Sequence, residues 1–374
     1  MSTVFALNSF QSCDLNGVRA YSTLDQSGVC TLGTALVDYR GYRVTAQTII
    51  PGKLSVLSAG ILEKEQDQLI VYGSNDFGKS VVADKRYAEI LGKSAKALRI
   101  RPHKVLDKSG SVVNLLSSVD CKGIVGNDNR TYLLDLLNTF PPDVNYLGGA
   151  PAPVRPVLSE TMRKLGYPYV HRHLLPSVRQ ELVDFFCNLR QEEFVRKAAE
   201  EFHKIRTTST DAEKELVKSD EREDKGPNID VNGVLLLDSD SSGKSIQQFM
   251  IQEKNFANSQ HSGAVGTTLV SKIRKAMTEG TDDLDLKEAM KRAAQSIKTF
   301  KHGSFEILFN SDAFKSTVTF AKEEEENLKR DRELIQEICE FLVLEQIPAV
   351  IDDCVNFALI PQDGRALVEI LHQR

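Results

Sequence analysis

The sequence has no run of about 18 consecutive apolar residues, which excludes a membrane-spanning helix and with it insertion into a bilayer. Its first residues, MSTVFALNSFQSCD, carry neither a basic segment followed by an apolar core nor an Arg-rich amphipathic pattern, so no secretory or organelle address is read there. The cytoplasm is the expected compartment. Six cysteines, Cys13, Cys30, Cys121, Cys187, Cys339 and Cys354, are scattered without a single CxxC, which argues for reduced, mostly buried thiols over a disulfide framework or a zinc site. Neither GxSxG nor HExxH occurs, and no repeat period is visible. No cofactor is expected, and the chain does not read as an enzyme.

What is present is an ordinary globular composition. Of 374 residues, 41% are hydrophobic and 26% charged, and the length suits two or three packed units. The net charge of −5 argues against wholesale coating of a nucleic acid, so the local distribution of charge matters more than its sum.

The fold class expected is α+β: an antiparallel-strand-rich domain, then a disordered acidic linker and a helical region. ALVDYRGYRVTAQTII alternates apolar and polar residues around Arg40-Gly41, the pattern of a hairpin with a tight turn. A strand is predicted at LIVY (69–72), a helix over Asp84 to Leu98, and a strand from Arg99 to Leu106. That strand turns at Lys108-Ser109-Gly110 into another at Val112 to Leu116. TYLLDLL reads as a buried strand or the start of a helix.

Domain boundaries follow composition. Residues 1–147 form the first unit, 148–170 a Pro/Gly-rich connection, and 171–208 an amphipathic helix carried by Val178, Leu182, Phe185, Phe186, Leu189, Phe194 and Val195. Residues 209–265 are polar and poor in aromatics, hence expected to be disordered apart from the apolar island GVLLLD. Residues 266–374 return to helices, including a Glu-rich one from Glu323 to about Gln346.

Gly73-Ser74-Asn75-Asp76-Phe77-Gly78-Lys79-Ser80 satisfies the phosphate-loop pattern GxxxxGK[ST] directly after an apolar strand. A working loop of this kind opens a helix at its lysine, whereas here Val81-Val82-Ala83 precede the helix cap Asp84. Asp135, the candidate for the second nucleotide-binding motif, lies inside its apolar run. The expectation is therefore a glycine-bearing turn, with nucleotide binding through Lys79 and Ser80 as the alternative function. VLLLDSDSSGKS is a weaker look-alike, with Asp238 where a glycine is needed. His171-Arg172-His173 lacks metal-ligand spacing and reads as a positively charged loop.

Charge concentrates between Asp84 and Lys108, where eight basic residues face three acidic ones. Lys85, Arg86, Lys93, Lys96, Arg99, Arg101 and Lys104 are the candidate nucleic-acid contacts. By the two-residue strand period Arg99, Arg101 and His103 share one face, with Ile100 on the other. Such a row fits phosphates and equally fits a solvated surface.

Three stretches closely resemble the Clu domain of the clustered-mitochondria family: LGTALVDYRGYRVTAQTIIPG (32–52), ILEKEQDQLIVYGSNDFGKSVV (61–82) and VDCKGIVGNDNRTYLLDLLNTFPPDVNYL (119–147). GSFEILFNSDAF (303–314) and the stretch from Phe341 to Arg374 resemble the lead into the same family's central helical region. The resemblance implies a cytoplasmic mRNA-binding protein that keeps mitochondria dispersed. It binds messages for mitochondrial proteins, and ribosomes or translation-initiation factors are further partners. The link to mitochondria is then indirect. Family members carry the GSxDFGKS/T string without being established nucleotide hydrolases. The resemblance also implies a piece of a longer chain, starting within the Clu domain and stopping before any tetratricopeptide repeats. Lys53 to Gly60 interrupt the family pattern, and Asn138 stands where it has arginine.

Overall fold

The computed structural model describes residues 14–50, 70–74, 76, 78, 80–170, 176–216, 264–301 and 304–357. By their internal contacts they form two units, one of residues up to Val183 together with Leu308–Glu340, the other of Asp184–Ile307 together with residues from Phe341 onward. The α+β class is borne out. The expected helical region 266–374 is divided between the two units, and its part 308–340, which belongs to the first, supplies carboxylates to basic residues there.

In the first unit helix α1 (14–23) leads to β1 (Cys30–Thr31) and the hairpin β2 (Thr34–Tyr39) and β3 (Tyr42–Gln47). The predicted turn is there: Arg40 (φ 48°) and Gly41 (φ 82°) are both left-handed, the two-residue geometry that matches strand twist. Next come β4 (Ile70–Tyr72), α2 (Lys85–Ala97), β5 (His103–Leu106), β6 (Val112–Leu115), β7 (Lys122–Val125) and β8 (Thr131–Leu134). The four-stranded sheet runs β1-β8-β7-β4, with β1 parallel to β8 and the other pairs antiparallel; β2-β3 and β5-β6 each form separate two-stranded sheets among the described residues. TYLLDLL is a strand through Leu134 and then a single 3-10 turn at Leu136–Asn138.

Helix α2 packs on the sheet through Tyr87, Leu91, Ser94 and Ala95. The ring of Tyr87 stacks on Tyr72 with centroids 5.4 Å apart, and its hydroxyl donates to the carbonyls of Ile124 (2.9 Å) and Tyr132 (3.0 Å). A buried tyrosine with its polar end satisfied in this way holds the helix to two neighbouring strands. Asp84 caps the helix by accepting from the Arg86 amide at 2.7 Å. After the short helix α3 (Glu160–Lys164), helix α4 (Gln180–Leu216) begins in the first unit and continues in the second.

In the second unit, helices α5 (Ala264–Glu279) and α6 (Leu284–Ser296) follow, and Phe194 of α4 meets Phe300 (5.2 Å) and Phe305 (4.8 Å). Helix α7 (Glu325–Phe341) belongs to the first unit except for Phe341, which packs against Phe185 and Phe186 in the second. A π-helical turn at Leu342–Gln346 then leads into α8 (Ile347–Phe357).

Several expectations change. Helix α4 runs on through 209–216, so that part of the expected disordered linker is helical, and α5 takes up 264–265; residues 217–263, with GVLLLD and the second phosphate-loop look-alike, lie outside the described residues. So do His171, Arg172, His173, Lys79 and the 53–60 interruption. Cys30, Cys121, Cys187 and Cys339 are free thiols, the last three buried. No helix among the described residues is long and apolar enough to cross a membrane.

Candidate nucleic-acid interface

Of the seven predicted basic residues, four lie on α2, Arg99 and Arg101 in the connection that follows it, and Lys104 on β5, and their fates differ. On α2 the buried positions 87, 91, 94 and 95 fix the inner face, and at 100° per residue Lys85, Arg86, Lys93 and Lys96 fall together on the opposite side, interrupted only by Glu89. All four are exposed. Lys96 sits in the last turn, where a cation also complements the helix dipole.

The strand cations are arranged differently from the expectation. Arg99 does not join a strand: it is the left-handed residue (φ 57°) that ends α2, with the Ile100 amide donating to the Ala95 carbonyl at 2.7 Å and its own amide to Lys96 at 3.2 Å. That pair of bonds is a Schellman termination, with an arginine where glycine is usual. The regular strand starts only after Pro102, so the shared face of Arg99, Arg101 and His103 does not form.

Arg101, His103 and Lys104 instead meet the 308–340 segment. The Arg101 guanidinium lies 3.1 Å from Oδ1 of buried Asp331 and donates to Asn327 Oδ1 at 3.2 Å. Its approach to Asp331 is an ion pair by proximity, without hydrogen-bond alignment at Oδ1. Burial accordingly raises the Asp331 carboxyl to about 6, against the lowering effect of Arg101. His103 is 1% exposed and its Nε2 lies 3.0 Å from Asp312 Oδ2. Lys104 pairs with Glu323 at 2.9 Å on the surface.

Asp312 is the hub of this seam. Fully buried, it accepts from Ser118 Oγ (2.8 Å), the Val119 amide (2.7 Å) and Lys315 Nζ (2.7 Å) as well as His103. Burial would raise its pKa, but Lys315 and His103 outweigh that and hold the carboxyl well below the usual range. The His103 imidazole is correspondingly raised: burial lowers it, and Asp312 more than reverses the effect. Lys315 also reaches Asp120, which accepts a further bond from Asn138.

The glycine-rich loop closes on itself. Gly73 and Val82 exchange backbone hydrogen bonds (2.8 and 3.0 Å), and a side chain at Gly73 would put its Cβ 1.8 Å from the Cys121 carbonyl oxygen. Packing therefore requires that glycine. Asp76 occupies the centre: it accepts from the Ser80 amide (2.6 Å), the Ser80 hydroxyl (2.9 Å) and Lys108 Nζ (2.7 Å), while the Gly78 amide donates to Ser74 Oγ. These donors are the groups a phosphate would use, and the helix begins at Lys85, well past the loop. Asp135 is left-handed (φ 55°) and forms an ion pair with Lys122. Sequence reasoning read the loop as a turn but missed Asp76 as its organiser. An acidic residue inside the pattern was the available signal.

The geometry defines an α+β domain with a solvent-facing basic helix and a closed glycine loop. Residues 4–146 match the family model described as Clustered mitochondria. The chain is 40% identical over 367 residues to the Clustered mitochondria protein homolog of Xenopus tropicalis, 39% over 363 residues to that of Homo sapiens, and 39% over 369 residues to Protein clueless of Drosophila willistoni. Each match covers 96% of this chain and 24–25% of the relative. The chain belongs to the clustered-mitochondria family and spans about a quarter of the length of the curated relatives it matches. No solved structure matches it.

Proposed function

We propose that the chain is the Clu-domain part of a cytoplasmic, non-catalytic mRNA-binding protein that governs the distribution of mitochondria. Its messages encode mitochondrial proteins, and its further partners are ribosomes or translation-initiation factors. The names of the relatives support the mitochondrial role. The observation that carries RNA contact is the face of α2, where Lys85, Arg86, Lys93 and Lys96 project into solvent from one side of a well-anchored helix. A row of cations on a rigid element suits a phosphate backbone without reading sequence. The loop at 73–82 supports assigning the cationic work to the helix, because its described donors at Gly73, Gly78, Ser80 and Val82 already have protein acceptors.

The test is a titration of the purified chain into labelled single-stranded RNA at several salt concentrations. With three to four phosphates neutralised, log affinity should fall against log salt with a slope of about −2 to −3. Absence of binding at low salt, or a slope near zero, would overturn the reading.

A further inference from the structure

Among the described residues nothing covers one whole face of the hairpin β2-β3. Its register pairs Ala35 with Ala46, Val37 with Val44 and Tyr39 with Tyr42, and directly opposed residues project to the same side. That side is therefore Ala-Val-Tyr against Ala-Val-Tyr, without a charge. Exposure reaches 63% at Tyr39 and 76% at Tyr42, with Val37 at 50% and Val44 at 56%. The other side, with Thr34, Leu36 and Thr45, is half-buried, and Gln47 ties it to Asp14 of α1 at 3.2 Å. A two-stranded sheet is marginal in water unless a face is packed, so the half-buried side anchors the hairpin and the apolar side is presented.

Three features at the tip identify what fits it. The turn sets the two tyrosines directly opposite one another, giving a pad two rings wide. The Arg40 guanidinium lies 5.2 Å from the centroid of the Tyr39 ring, so a cation stacks on the pad. The hairpin's one carboxylate, Asp38, is held by both arms of Arg43 at 2.7 Å, which leaves the Arg40 charge unneutralised by its own hairpin. An aliphatic protein partner would leave the tyrosine hydroxyls and the Arg40 charge without matching groups at the most exposed part of the face. Unpaired bases over the rings and a phosphate at Arg40 satisfy both.

We propose that the exposed face of β2-β3 is a base-stacking platform for single-stranded RNA, with Tyr39 and Tyr42 receiving successive bases and Arg40 the adjoining phosphate. This rests on the RNA-binding reading above and assigns it a second, non-electrostatic contact. Stacking of this kind tolerates any base, because each has a π-face.

The chain would be titrated with a labelled single-stranded oligoribonucleotide, in parallel with Tyr39→Ala/Tyr42→Ala and Tyr39→Phe/Tyr42→Phe, with melting curves as the fold control. The alanine variant, losing two stacked bases, should bind at least about thirtyfold more weakly with an unchanged salt slope, and the phenylalanine variant should bind like wild type. Duplex RNA, whose bases are already stacked, should compete poorly. If wild type binds and the alanine variant matches it, or if duplex competes as well as single strand, the platform is refuted while RNA binding by α2 stands. If wild type does not bind, the functional reading fails and takes this one with it. A concentration-dependent dimer of wild type, dissociated by the alanine substitutions, would show a second copy as the occupant instead.

Discussion

Helix α2 and the chain immediately after it carry similar densities of positive charge and use it in opposite ways. The helix turns Lys85, Arg86, Lys93 and Lys96 to solvent, because Tyr87, Leu91, Ser94 and Ala95 claim the other side. Beyond Pro102 the alternation of β5 instead aims His103 and Val105 inward, and the cations among Arg101, His103 and Lys104 find Asp331, Asp312 and Glu323. The same sequence pattern thus supplies a surface in one place and a seam in the next. The difference lies in what packs against each element: a sheet that needs apolar contact, or a returning segment that brings carboxylates.

The seam gives the largest expected effect. Asp312→Ala would leave buried His103 without its counter-charge and half-buried Lys315 with Asp120 alone, and removing one member of a buried ion pair costs about 3–5 kcal/mol. Denaturant unfolding of the variant should show that loss, and a loss below about 1 kcal/mol would mean the seam contributes little. Asp331 sharpens the comparison through pH. Its folded carboxyl titrates near 6 against an ordinary 3.8, so between those values the folded state holds the proton more tightly. This group alone therefore makes the fold less stable as pH rises from about 4 to 6, by on the order of 3 kcal/mol. Asp331→Asn should flatten that part of the stability–pH curve relative to wild type; superimposable curves would place the carboxyl in its ordinary range. A smaller effect is expected at the junction of the two regions. Arg99 holds a left-handed backbone that glycine adopts freely, so Arg99→Gly should stabilise by about 1 kcal/mol, read as a rise in melting temperature.

Local structure was legible wherever neighbouring residues decide it. Arg40-Gly41 announced its turn, Asp84 its helix cap, and the apolar run LIVY its strand, which is found over Ile70–Tyr72. The stretch from Arg99 was misread because the period of two was started at a residue whose backbone is needed to end the preceding helix. The partners of Arg101 and His103 were beyond local reading. Asp312 lies 209 positions from His103, and Asn327 lies 226 from Arg101, so periodicity around the basic run carries no sign of either. The glycine loop illustrates an intermediate case. Its lateness relative to the helix was visible, but the inward turn of Asp76, which gives the loop its internal acceptor, depends on Lys108 across the β5-β6 hairpin.

The division between surface and seam is tested most directly by comparing two variants for single-stranded RNA affinity as a function of salt: Lys85→Ala/Arg86→Ala/Lys93→Ala on the helix, and Arg101→Ala/Lys104→Ala on the strand. The helix variant should keep the wild-type melting temperature and flatten the slope of log affinity against log salt by about 2, while the strand variant should melt earlier and keep the wild-type slope. A flattened slope in the strand variant, with the helix variant indistinguishable from wild type, would contradict the account.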